Sequence, residues 1–181
     1  MRDIFDVINS RRSVREYSEE QIKDEEIEKI INAGFMAPTA RSSEPWYFTI
    51  IQNKELLNDI NNRALEIMGN SGDEFAEYLA ESGRNILHNA PTVIVVSARK
   101  DAANMQADSS AAIENMLLAA EGLNIGSCWL GLIQFFFSDE ENVKKLEIPE
   151  NYTPLYGVSL GYKIHENVKI DRDKNNFNWI K

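Results

Sequence analysis

The sequence predicts one α+β domain, residues 1–181, in which a central mixed β-sheet is flanked by helices, and three stretches carry that reading. Pro91-Thr92-Val93-Ile94-Val95-Val96 is a continuous β-branched run, the pattern of a strand covered on both faces. Ile27, Ile30, Ile31 and Gly34 recur at i, i+3, i+4 and i+7, which makes a one-faced helix. Met105 to Leu123 carries Ala112, Met116, Leu117, Ala119, Ala120 and Leu123 with few charges. Such a helix is apolar around most of its circumference and is expected to be buried, in part against a second subunit.

The other elements follow in chain order. Ile4, Phe5, Val7 and Ile8 give a short first helix an apolar face, and it ends at the polar run Ser10-Arg11-Arg12-Ser13. The second helix opens on the acidic Asp24 to Glu26 and stops before Pro38. Trp46 to Gln52 is aromatic and β-branched and reads as a strand. Lys54 to Asn89 reads as two helices broken near Gly69-Asn70-Ser71-Gly72. Ser127 to Leu132 and Leu155 to Leu160 read as strands, and Ser138 with Glu141 as the capping box of a late helix. The polar tail Lys163 to Lys181 ends in Phe177, Trp179 and Ile180, aromatic and apolar residues that are expected to dock on a partner subunit.

Composition narrows the function classes. The 181 residues, 43% hydrophobic and 27% charged, suit one ordinary globular core. The longest apolar stretches, Leu130 to Phe137 and Val93 to Val96, fall short of the roughly 18 residues a membrane helix needs, so no span is expected. Met1 to Ser10 lacks a basic region followed by an apolar run, and the single cysteine, Cys128, agrees with a reducing compartment, so a cytoplasmic location is expected. A net charge of −10 disfavours nucleic acid and anionic lipid as partners and makes any cluster of arginines informative.

One such cluster is Arg11-Arg12-Ser13-Val14-Arg15, where an extended chain would set Arg11, Ser13 and Arg15 on one side. Guanidinium forks and a hydroxyl suit the phosphate and carbonyl edges of a phosphorylated cofactor. The same arginines would equally suit a solvated cap on the negative end of the first helix. The stretch Ala37-Pro38-Thr39-Ala40-Arg41-Ser42-Ser43-Glu44-Pro45-Trp46 is stiff and small enough for a flat ring to approach its backbone, or is a plain helix-to-strand connection. His88 and His165 form no ligand-spaced cluster with Cys128 or a carboxylate, so no metal is implied, and both read as surface or structural histidines. Cys128 reads as a small buried hydrophobe, and Phe135-Phe136-Phe137 as core in preference to a lid. No Gly-x-Gly-x-x-Gly follows a predicted strand, so a dinucleotide would be a passing substrate and not a resident one.

Taken in order, Arg-Arg-Ser-Val-Arg, Ala-Pro-Thr-Ala with Glu-Pro-Trp, Asn115 to Ala120, Gly122 to Gly131 and Gly157 to Tyr162 resemble the nitroreductase family over nearly the whole chain. The resemblance implies an FMN-dependent oxidoreductase that takes hydride from NADH or NADPH and reduces nitroaromatic, quinone or similar electron-poor acceptors by ping-pong turnover. It implies an intertwined homodimer with exchanged C-terminal arms and two FMN sites between the subunits. Arg11, Arg12, Ser13 and Arg15 would contact the FMN phosphate, ribityl chain and pyrimidine edge. Pro38, Thr39, Ala40 and Ser42 would come from the other subunit. Leu130 and Gly131 would lie at the ring with a backbone N–H towards N5, and Arg172, with Lys174 as the alternative, would add a phosphate contact. Positive charge from Arg15 or Arg12 would stabilise the reduced flavin.

Three positions depart from the family pattern: Ser42 and Glu44 stand where many members have Asn and Gln, and Lys163 stands where proline often follows Gly-Tyr. An FMN-binding or flavin-storing module with incidental turnover is the main alternative, and a flavin-free scaffold a further one. Acceptor specificity would reside in the middle segment, Asn61 to Ser82.

Overall fold

The computed structural model describes residues 3–168 and 170–181; Met1 and Arg2 of the N-terminal stretch and Lys169 of the tail lie outside the described residues. Helix α1 (Ile4–Ser10) is capped by Asp3, whose carboxylate accepts from the Phe5 N–H at 2.8 Å. Helix α2 (Asp24–Phe35) begins with three acidic residues that complement its positive end. Strand β1 (Trp46–Ile51) leads to α3 (Lys54–Met68) and α4 (Glu74–Glu81), the two expected helices, parted at the Gly69 to Gly72 break. Then come β2 (Thr92–Arg99), α5 (Met105–Gly122), β3 (Ile125–Leu130), α6 (Gln134–Phe137), α7 (Glu140–Lys144) and β4 (Tyr152–Tyr162).

The sheet has the order β1-β2-β4-β3, and every pairing between these strands is antiparallel. The expected mixed character reduces to one isolated parallel bridge, Ser13 to Ser127, which lays the arginine segment beside β3. Strand β2 is interior and buried along its first seven residues, as its sequence predicts. Double coverage comes from helices on both faces and not from parallel pairing. Val93 and Val95 join a core with Leu57, Ile60, Met68 and Phe136, whereas Ile94 and Val96 join Ile30, Ile113, Met116 and Val158. The period-2 alternation of one strand thus splits the interior into two clusters.

Some boundaries move. Strand β4 begins three residues before the expected Leu155, and its register slips where Val96 opposes Tyr156 and Ser97 opposes Pro154. The irregularity accommodates a proline in an interior strand. Ser138 ends α6, its hydroxyl donating to Phe135 O at 2.7 Å, and the cap of α7 is Asp139, which accepts from the Glu141 N–H at 2.9 Å. Aspartate caps as well as serine, so the helix starts one residue later than expected. Phe136 is fully buried, with Phe135 and Phe137 packed against the same core. Among the described residues the tail forms no helix or strand, and Phe177, Trp179 and Ile180 stay 71%, 73% and 88% exposed. Among the described residues no helix is long and apolar enough to cross a membrane.

Candidate functional site

The arginine segment is clamped flat against the ends of β3 and β4. The Val14 N–H donates to Ser127 O and the Ser18 N–H to Tyr162 O, each at 2.9 Å. The Tyr17 hydroxyl donates to Val14 O at 2.6 Å and lies 2.8 Å from Ser159 Oγ. Burial pushes the Tyr17 phenol up, so it remains a donor across the neutral range. Two glycines permit this approach. A Cβ on Gly126 would stand 2.8 Å from Val14 Cγ1, and one on Gly161 2.7 Å from Tyr17 Cδ1. Gly161→Ala is therefore expected to push Tyr17 off the sheet at a cost of about 1–3 kcal/mol, seen as a lower midpoint of thermal unfolding.

So held, Val14 is half-buried while Ser13 and Arg15 on either side of it are exposed. Arg11, Arg12, Ser13, Arg15 and, from the tail, Arg172 line one groove of about 500 Å³; Lys174 does not. Arg12 is the least free of these. Its Nη1 donates to Asn9 O at 2.9 Å and Arg11 O at 2.7 Å, and its Nε donates to Val168 O at 2.9 Å, so it braces the tail against the segment. Arg11 reaches the half-exposed Glu114 at 3.7 Å, a loose pair that leaves its guanidinium able to turn.

Behind the groove lies a polar knot that sequence reasoning missed. Glu121, in the last turn of α5, is 3% exposed and lies 2.6 Å from the buried Lys163 Nζ. Ser10 Oγ donates to the same carboxylate at 2.8 Å, and Asn167 Nδ2 donates both to it and to Ser10 O at 2.9 Å. This ties α1, α5, β4 and the tail together. The available signals were a glutamate in the apolar last turns of a helix and a lysine in place of proline after Gly161-Tyr162.

Pro38, Thr39, Ala40 and Ser42 do not line the groove. They occupy the loop at the other end of α5, where the Ala40 N–H donates to Asp108 Oδ1 at 3.0 Å. Asp108 and Glu121 are thirteen residues apart on one helix, about 20 Å along its axis. Around a single turn at Ala40–Ser42, Arg41, Ser42 and Glu44 take φ of 57°, 51° and 43°. Asparagine is comfortable there and serine less so, which gives the Ser42 departure a backbone consequence. Leu130 sends its side chain into the core, and Gly131 has open space where a side chain would stand. Cys128 is 3% exposed, and burial pushes its thiol up, so it stays a buried apolar group as predicted.

The model of the nitroreductase family matches residues 8–162. The chain belongs to the nitroreductase family. A protein of Archaeoglobus fulgidus that carries an NADH dehydrogenase/NAD(P)H nitroreductase name is 37% identical over 171 residues, covering 90% of this chain and 86% of its own. A Bacteroides fragilis nitroreductase solved with bound FMN is 29% identical, with a TM-score of 0.91 and full coverage of both chains. A Desulfitobacterium hafniense nitroreductase, also solved with bound FMN, is 25% identical, with a TM-score of 0.90 and the same coverage. Gly126 and Gly161 both lie within the matched residues, and they form the floor on which the arginine segment lies.

Proposed function

We propose that this nitroreductase is an FMN-dependent NAD(P)H oxidoreductase. The observation that carries the reading is the convergence of Arg11, Arg12, Ser13, Arg15 and Arg172 on one groove in a chain of net charge −10. Guanidinium forks beside the Ser13 hydroxyl fit the phosphate and ribityl groups of FMN, and the open space at Gly131 fits a ring. FMN, when bound, supplies the hydride chemistry. Arg11, Ser13 and Arg172 would hold the phosphate, Arg12 would keep the tail in place, and Arg15 would set positive charge beside the ring to favour reduction. Gly131 would offer a backbone N–H, and the side chain of Leu130 would close the floor.

Loop residues Pro38, Thr39, Ala40 and Ser42 of the partner subunit would complete each site, because within a single chain that loop is bonded to Asp108 at the far end of α5 and does not line the groove. A homodimer also accounts for the exposed Ile4, Phe5 and Ile8 on α1 and for the apolar end of the tail, which would cross to the partner. NADH or NADPH and an electron-poor acceptor would occupy the site in turn, in the reducing cytoplasm that an unpaired Cys128 suits.

The test is a visible spectrum of the purified protein after FMN addition and removal of excess, followed by anaerobic titration with NADH and NADPH. A retained yellow band that bleaches is expected, and the faster donor is the preferred one. Retention without bleaching would identify a flavin-binding module, and a colourless protein would end the flavoprotein reading.

A further inference from the structure

The turn at Ala40–Ser42 holds three left-handed residues, Arg41, Ser42 and Glu44, with few bonds of its own. The Ser42 N–H donates to Thr39 O at 3.4 Å, the Ser43 N–H to Ala40 O at 3.2 Å and the Glu44 N–H to Thr39 Oγ1 at 3.4 Å, all at or beyond the long end of the ordinary range. Thr39 stands at the capping position and gives the turn no side-chain cap. Among the described residues, the one hydrogen bond from positions 38–44 to another element runs from the Ala40 N–H to Asp108 Oδ1, at 3.0 Å. Left-handed backbone at side-chain-bearing residues persists only where its surroundings over-determine it, and here that restraint comes from α5.

Asp108 is a costly residue to place there. It is 5% exposed, and among the described residues its Oδ2 has no hydrogen-bond partner. A buried carboxylate that accepts from one neutral donor opposes folding, and the positive end of α5, whose first turn it occupies, offsets only part of that. The bond to Ala40 therefore contributes order to the turn and little to the stability of the fold. The turn in its place presents Pro38, Arg41 and Ser42 outward, all three exposed.

We propose that Asp108 is a positioning residue for flavin binding: by fixing Ala40 it sets the shape of the turn that completes the partner subunit's groove. The proposal rests on the reading of the protein as a homodimer with flavin between its subunits. Asp108 touches neither flavin nor acceptor and acts through the Ala40 N–H alone. A carboxylate on one subunit thereby governs the flavin held by the other. Only Oδ1 is engaged, so an asparagine, which keeps that oxygen, can do the same work and an alanine cannot.

The test measures FMN affinity by fluorescence quenching, the visible circular dichroism of the bound flavin, and thermal unfolding of the flavin-free protein. Asp108→Ala is expected to weaken FMN about tenfold or more and to flatten the dichroism band, while melting within about 4 °C of the parent. Asp108→Asn should bring the affinity back to within about threefold of the parent and restore the band. Mixed dimers locate the effect. When an Asp108→Ala subunit is paired with one carrying Arg11→Ala and Arg15→Ala, the intact groove of the first meets the intact turn of the second. Such a dimer should hold one FMN with the parent's affinity. Binding there as weak as in the Asp108→Ala homodimer would show that Asp108 acts within its own subunit, and would overturn the proposal. So would a parent-like affinity and band in Asp108→Ala, an asparagine variant no better than alanine, or a loss of FMN matched by an equal loss of melting temperature. Failure of the flavin reading shows separately, as a parent protein that stays colourless after FMN addition, and the proposal falls with it.

Discussion

Replacing Arg11 and Arg15 together by alanine is expected to abolish FMN retention through gel filtration, with each single change weakening affinity about ten- to a hundredfold. A hydrogen bond to a charged group contributes about 1.5–3 kcal/mol, and each 1.4 kcal/mol is a factor of ten. Arg15 lies between two fixed points, Val14 bonded to Ser127 and Ser18 bonded to Tyr162, and the Arg11 N–H is tied to Val7 O, so removal of either side chain should leave the fold intact. Arg11 gives up only a 3.7 Å contact with the half-exposed Glu114. The measurement is FMN fluorescence quenching alongside thermal unfolding. Unchanged affinity in both single variants would remove the groove from the flavin site.

Lys163→Ala is expected to cost about 3 kcal/mol, because it strands the buried Glu121 carboxylate without the cation 2.6 Å away. For a chain of this length that lowers the unfolding midpoint by roughly 6–12 °C. Ser10 and Asn167 would still donate to Glu121, which keeps the loss below that of an isolated buried charge. The double change Glu121→Leu with Lys163→Met should lie near the parent, since well-packed apolar residues replace a buried pair at little cost. Melting curves of the single and double variants decide the matter: a single variant that melts with the parent shows that the pair contributes nothing. The single change should also weaken FMN, because Asn167 holds the tail that brings Arg172 to the groove.

Periodicity made the fold legible wherever one property dominated an element. The β-branched run at 92–96 became an interior strand and the all-round apolar helix became α5, because both signals come from burial alone. Pairing direction was not legible: a strand covered by helices on both faces looks the same in sequence whether its neighbours run parallel or antiparallel. The Ser138 capping box misled by one residue because Asp139 competes for the same role. At the site, the arginine segment was readable as a local pattern. Arg84 and His88 were not, since they approach Arg15 only through a turn whose left-handed backbone leaves no trace in a sequence rich in asparagine. The pairing of Glu121 with Lys163 joins residues 42 positions apart, beyond any local signal.

Helix α5 has one end bonded to the Ala40 loop through Asp108 and the other to Asn167 at the arginine groove through Glu121. It therefore acts as a gauge block whose length and angular phase are both set. One inserted residue between those anchors would lengthen it by about 1.5 Å and turn one end by about 100° relative to the other, so no single shift could keep both anchors bonded. Insertions should accordingly accumulate in the turns around Gly72 and Gly83, where a side chain would meet nothing within 4 Å. The span from Asp108 to Glu121 should hold its residue count across variants of this chain that remain active, however freely the exposed positions along it change.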